Sequence, residues 1–235
     1  MKPMRMAISV LLLITLFCGM VVSAVADNTG VNDVHPVSVV FYSSTNPNHV
    51  HLDAVVPYGD SLFREAATTY HHALAQASLG LALSNFREIG KTAEEQGYAL
   101  WDFLTAVGFS DIQADQYDVD TTSDTVASMI ARKETMIDGE PCALIAVSIC
   151  GAGYKNEWLS NFAFSGEERH AGFDRAADKV LGRLLLYLFN HPTEGRVKLW
   201  ISGFSRAAAI ANLLGQKLSN EKPLKFRNEP LNYTE

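Results

Sequence analysis

The sequence predicts an α/β sandwich, mostly parallel after an antiparallel start. Apolar runs of strand length alternate with longer segments of helical period, as layered α/β proteins require. One of those runs, Ala143 to Ile149, is nearly all apolar, which suits a central strand covered on both faces. The composition is that of a globular chain: 235 residues, 48% hydrophobic and only 19% charged, too apolar for disorder. With 19 basic against 26 acidic residues the net charge is −7. No basic tract stands out, which argues against a nucleic-acid partner.

The first 26 residues are set aside before the fold is read. Lys2 and Arg5 make a basic start, Ala7 to Val22 is almost unbroken apolar sequence, and Ala24-Val25-Ala26 has the small-x-small pattern of a signal-peptidase site. Residues 1–26 therefore read as a cleavable signal peptide, and the protein as secreted or extracytoplasmic. An uncleaved anchor is the alternative, because the run approaches bilayer-spanning length. A lipoprotein reading at Cys18 is weaker, because bulky Phe17 precedes it. Residues 27–59 read as an extension with a first strand, and residues 60–235 as the main domain. Cys142 and Cys150 bracket one strand-like run and would lie roughly 26 Å apart along it. A disulfide tolerates at most about 7 Å between Cα atoms, so both read as free and buried.

The elements follow in order. Pro36 to Tyr42 is a short β-branched run. Asp60 to Phe86 has helical spacing, with Asp60 as a cap and Leu62, Ala66, Tyr70, Ala73 and Ala77 along it. A second helix starts at the capping box Thr92-x-x-Glu95 and runs through Leu100, Phe103 and Leu104 to Gly108. Val126 to Glu134 and Ala143 to Ile149 are strands joined around Asp138-Gly139, a strong hairpin dipeptide. Phe173 to Phe189 is a third helix, with Ala176, Val180, Leu184 and Leu188 on one stripe. Val197 to Ser202 is a strand, and Arg206 to Leu218 a helix.

The last junction carries the chemistry. A buried strand ends at Ser202, Gly203-Phe204-Ser205-Arg206-Ala207 follows, and an alanine-rich helix begins. A sharp strand–turn–helix with small residues two before and two after a serine is the setting of a nucleophile elbow. Ser205 would project its hydroxyl from the turn, and the Arg206 N–H would stabilise an oxyanion. The simpler alternative is a serine N-cap.

Three ordered blocks resemble the class three lipases, the fungal-type lipase family of the α/β-hydrolase fold. Ile149-Cys150-Gly151-Ala152-Gly153-Tyr154-Lys155-Asn156-Glu157-Trp158-Leu159 is similar to the family's strand end, loop and Trp. His170-Ala171-Gly172-Phe173 is similar to its His-x-Gly-Phe at a helix start, and Gly203-Phe204-Ser205-Arg206-Ala207 to its nucleophile block. The resemblance covers roughly residues 60 to 218. It implies an α/β-hydrolase-like sandwich, with Ser205 as nucleophile and the backbone N–H groups of Arg206 and Ala152 as oxyanion donors. It further implies an ester or lipid substrate, acylglycerol-like, and a transient contact with a lipid interface. No cofactor and no metal is implied.

The departures are specific. Cys150 stands where the family has Arg, and Ala152 where it has Ser or Thr, so Ala152 keeps the main-chain donor but loses the hydroxyl. Losing one oxyanion donor costs about 10²–10³ in rate, so a weakened hole is expected. In α/β-hydrolases the acid and then the His follow the serine, yet no Asp and no His follows Ser205. The expectation is the amino-terminal portion of a longer hydrolase, truncated on the C-terminal side, with little or no activity of its own.

Two rivals stay open. One is a secreted binding or structural domain that keeps the fold without a triad. The other is a zinc hydrolase built on His49, His51 and Asp53, since His-x-His-x-Asp sets two imidazoles on one strand face. Ala54 stands where that pattern continues with His. His71-His72 on a helix would diverge by about 100° and could not both face one metal.

Overall fold

The computed structural model describes residues 33–42, 51–85, 97–117, 126–151, 170–193, 195–220, 225–226 and 229–230. The chain divides into two units, residues 1–32 and residues 33–235. Only the second contains described residues, so the expected signal segment, residues 1–26, lies outside them.

The second unit opens with an antiparallel hairpin, β1 (His35–Tyr42) and β2 (His51–Tyr58). A 3-10 turn at Asp60–Phe63 leads to α1 (His72–Ser84), and then α2 (Tyr98–Ala106) follows. The main sheet comprises β3 (Ser110–Asp115), β4 (Ser128–Ile137), β5 (Glu140–Ile149) and β6 (Arg196–Gly203), in that spatial order. Helix α3 (Ala171–Asn190) links β5 to β6, and α4 (Arg206–Asn220) follows β6. Two short strands, β7 (Lys225–Phe226) and β8 (Glu229–Pro230), pair with each other.

The α/β class holds, with helices on both faces of a mixed sheet. The expected mostly parallel sheet does not. Among the described strands of this sheet only β5–β6 is parallel, while β3–β4 and β4–β5 are antiparallel. The reason lies in the connections. Parallel strands need a crossover of a dozen or more residues, and among the described strands only α3 provides one. The tight turn between β4 and β5 enforces the opposite sense. Asp138 and Gly139 both take positive φ, 55° and 80°, as a two-residue hairpin turn demands.

β5 lies at the centre of the packing. Cys142, Leu144, Ala146 and Cys150 face one core, shared with β1, β2, α1, α2 and Trp200. Ala143, Ile145, Val147 and Ile149 face the other, shared with α3 and α4. This two-sided burial explains the missing alternation in its sequence. Cys142 and Cys150 are both buried, and burial raises the Cys142 thiol above its ordinary range.

The expected helix from Asp60 starts later. The Asp60 carboxylate accepts from Lys133 Nζ at 2.7 Å, Thr135 Oγ1 at 2.6 Å and Tyr58 OH at 3.2 Å, so it ties the turn to β4. His71 caps α1 instead, its Nδ1 accepting from the Leu74 N–H at 3.5 Å. The Thr92-Glu95 box lies outside the described residues. Gly108 does end α2: at φ 88° it donates to Thr105 O at 3.0 Å, and Phe109 N–H donates to Leu104 O at 2.9 Å, the paired bonds of a Schellman motif.

Candidate active site

The site lies at the carboxyl ends of β5 and β6, where Ile149 pairs with Gly203. β6 is pinned against α1 first: Trp200 Nε1 donates to Ser78 Oγ at 2.9 Å and Ser202 Oγ to Ser78 O at 2.8 Å. The chain then turns within Phe204 and Ser205 and enters α4 at Arg206. A Cβ on Gly203 would lie 2.5 Å from Ala207 O, and one on Gly151 would lie 2.1 Å from Phe204 O. Both contacts are with backbone that cannot swing aside, so both positions need glycine.

Ser205 has φ 58°. The left-handed region costs an L-residue with a Cβ roughly 1–2 kcal/mol, and an N-cap residue ordinarily sits in the β region. This is therefore not the backbone of an ordinary serine N-cap. Ala207 N–H donates to Phe204 O at 3.1 Å and Ala208 N–H to Ser205 O at 3.0 Å. Those bonds tighten the turn and leave the Ser205 side chain exposed. Among the described residues no side chain hydrogen-bonds to the Ser205 hydroxyl. Arg206 opens a 15-residue helix, and first-turn N–H groups have no intrahelical acceptor. That terminus is a site for developing negative charge.

Phe204 and Arg206 flank the serine in sequence. Phe204 is 47% exposed. The Arg206 side chain is buried, its guanidinium 5.7 Å from the centre of the Phe173 ring, a distance at which a cation is attracted to the ring face. The His170 ring stacks on the same phenyl, with centroids 4.0 Å apart and planes 17° apart. His170 is the N-cap of α3, its Nδ1 accepting from Phe173 N–H at 3.4 Å. In the neutral ring that bond leaves the proton on Nε2. Its sequence block thus falls at a helix start, and no hydrogen bond among the described residues joins a histidine to Ser205.

The remaining candidates separate. Ala152 lies outside the described residues, directly after Gly151. His49 also lies outside them. Asp53 sits exposed on β2, paired with Val40, and His51 pairs with Tyr42 at the strand's start. His71 caps α1 while the His72 ring bonds to Tyr70 OH at 2.9 Å, so the two neighbours do turn to different partners. Among the described residues no three metal-type side chains converge.

Gly151 and Phe173 were missed as parts of this site. A glycine separated by one residue from a nearly all-apolar strand signalled the first. Nothing in the sequence paired Phe173 with Arg206, since that contact arises only from α3 crossing α4. The chain matches no protein-family model, and neither curated proteins nor solved structures yield a match.

Proposed function

We propose that the protein is a secreted serine hydrolase of the class three lipase type, with an α/β-hydrolase-like arrangement. Its substrate is a carboxylic ester, acylglycerol-like, and Ser205 is the nucleophile. The observation that carries this reading is the positive φ of an exposed serine between a buried strand and a helix. Non-glycine residues in that region persist where the surrounding structure over-determines them, and such positions cluster at active sites.

In this reading Ser205 Oγ attacks the ester carbonyl carbon. The carbonyl oxygen takes up the negative charge beside the Arg206 N–H, with the Ala152 N–H as second donor. The C–O bond to the alcohol breaks as the tetrahedral species collapses, the leaving alkoxide takes a proton, and water then releases the acid from the acyl-serine. The serine proton needs an acceptor, and none hydrogen-bonds to Ser205 among the described residues. Serine hydrolases lacking a triad member keep about 10³–10⁴ over water from binding and the oxyanion hole.

Turnover of a short-chain nitrophenyl ester is therefore expected above the water rate but far below that of a complete triad, with the excess abolished by Ser205→Ala. An excess unchanged in Ser205→Ala would overturn the reading. The absence of a described acceptor favours one second reading, a binding domain that retains the elbow without catalysis; it predicts no excess at all.

A further inference from the structure

Helices α3 and α4 are joined near their starts by a three-part stack. Phe173, in the first turn of α3, carries the His170 imidazole at 4.0 Å and the Arg206 guanidinium at 5.7 Å from its ring centre. The phenyl itself packs against the core that α3 and α4 share. Arginine is seldom buried without a partner, and Arg206 is buried. It is also the first residue of α4 and follows Ser205 directly. Whatever holds its side chain therefore also fixes the backbone at the turn.

The stack depends on a neutral His170. Its Nδ1 accepts from Phe173 N–H at 3.4 Å, and a proton on that nitrogen turns the acceptor into a donor. Protonation also sets a positive charge at the positive end of α3. A phenyl face attracts a cation, but Arg206 already draws on this ring, so the imidazolium would be a second cation beside it. Among the described residues, α3 contributes Asp174, whose N–H donates to His170 O at 2.9 Å, and the exposed Arg175. From α4 comes Lys217, whose Nζ lies 3.0 Å from the Asp174 carboxylate and 2.6 Å from that of Asp178. The nearby carboxylate is thus already countered. The strand ends, residues 148–151 and 202–205, bring no charged side chain and one titratable group, the buried Cys150 thiol.

The far end of α3 has the opposite sign. His191 caps it, with its ring stacked on Tyr187 at 4.3 Å and its Nδ1 at 2.9 Å from Tyr187 O. A carbonyl only accepts, so this Nδ1 carries a proton in either charge state. A cation is favoured at a helix C-terminus. Imidazole ordinarily titrates near about pH 6.5. Acid in that range works against the bond at the start of α3 and keeps the bond at its end.

We propose that the His170–Phe173–Arg206 stack is an acid-sensitive clasp: Phe173 positions Arg206 at the start of α4, and protonation of His170 releases it and slows reaction at Ser205. The effect on Ser205 rests on the hydrolase reading; the clasp does not. The test follows backbone amide shifts of the isotope-labelled full chain from about pH 8 to about pH 5.5, across the imidazole range. The Phe173 and Arg206 amides should titrate together with the His170 ring. In His170→Asn, which caps without titrating, both should stay flat. In Phe173→Leu, which keeps an apolar side chain but no ring, His170 should still titrate and Arg206 should no longer follow. An Arg206 amide that does not titrate, or that titrates equally in His170→Asn, overturns the clasp. The second readout is the rate of Ser205 acetylation by p-nitrophenyl acetate. The His170→Asn to wild-type ratio, in which the shared pH dependence cancels, should rise at least about three-fold between those two pH values, the scale of one helix cap. An unchanged ratio overturns the regulation. No acetylation of Ser205 in either protein overturns the hydrolase reading and the regulation with it, while the amide shifts still decide the clasp.

Discussion

The two ends of the β5–β6 pair handle cost in opposite ways. Five residues from the elbow, roughly 16 Å along the strand, Leu144 pairs with both Lys133 and Lys198. There both lysine ammonium groups are satisfied. Lys133 Nζ is shared between Asp60 Oδ1 and Val107 O, at 2.7 and 2.8 Å, and Lys198 Nζ bonds to Phe63 O and, at 3.4 Å, Arg64 O. Burial lowers the Lys198 ammonium below its ordinary value, with the Arg196 charge adding to it, and burial beside Asp60 raises the Tyr58 hydroxyl far above its own. At the elbow end the cost is backbone strain, the serine is exposed, and two glycines hold the turn. One end stabilises the fold through closed polar contacts, whereas the other is held in place by its surroundings.

The sharpest way to break this contrast is at the satisfied end. Asp60→Ala removes the acceptor of Lys133, Thr135 and Tyr58 together, and should lower stability by about 2–3 kcal/mol in urea unfolding. Acylation at Ser205 should be unaffected under native conditions. At the elbow, Gly151→Ala should cost about 1–3 kcal/mol through overpacking against Phe204 O, and should also slow any reaction at Ser205. A Gly151→Ala protein with unchanged stability would mean that the close approach is not real.

Substitutions at the serine sharpen the comparison, because the sign changes. Ser205→Gly relieves the left-handed strain at the expense of chain entropy, for a net gain of about 0.5–1 kcal/mol. Ser205→Ala leaves the strain in place and should shift stability by less than about 0.5 kcal/mol. Calorimetry on the pair separates strain from the hydroxyl. A glycine variant less stable than the alanine variant would remove the claim of strain.

The smallest effect expected is at Asp33. Its burial would raise the carboxyl, but hydrogen bonds from the Ser61 hydroxyl and N–H outweigh it, so the pKa is lowered. A depressed folded-state value means stability present above the unfolded value of about 3.9 and lost as pH falls through the lower folded value. Asp33→Asn should flatten that acid limb of the stability–pH curve and leave the limb above pH 5 unchanged.

Much of this layout was legible in the sequence, for physical reasons that differ by element. The β4–β5 hairpin followed from Asp138-Gly139, since few dipeptides accept two positive φ angles. Helix α3 followed from its apolar stripe, and the strand–turn–helix around Ser205 from Gly203 and Ala207. β3 was invisible because Ser110–Asp115 is mostly exposed and offers no apolar alternation. β2 was hidden by the His-x-His-x-Asp pattern, which drew attention to ligands and away from Ala54-Val55-Val56. The start of α1 was misread at Asp60 because local capping rules cannot anticipate a tertiary ion pair with Lys133. The Phe173 contact with Arg206 lay beyond reach for the same reason: it belongs to helix crossing, not to local sequence.

The central claim is that Ser205 is an acyl-accepting nucleophile held in a strained elbow. Its most direct test is incubation of the folded chain with p-nitrophenyl acetate, followed by mass spectrometry of the intact protein and its peptides. The account predicts acetyl on the peptide carrying Ser205, at Ser205 itself, and none on that peptide in Ser205→Ala. Acetyl found only on lysines and the amino terminus, with the same pattern in Ser205→Ala, would contradict it.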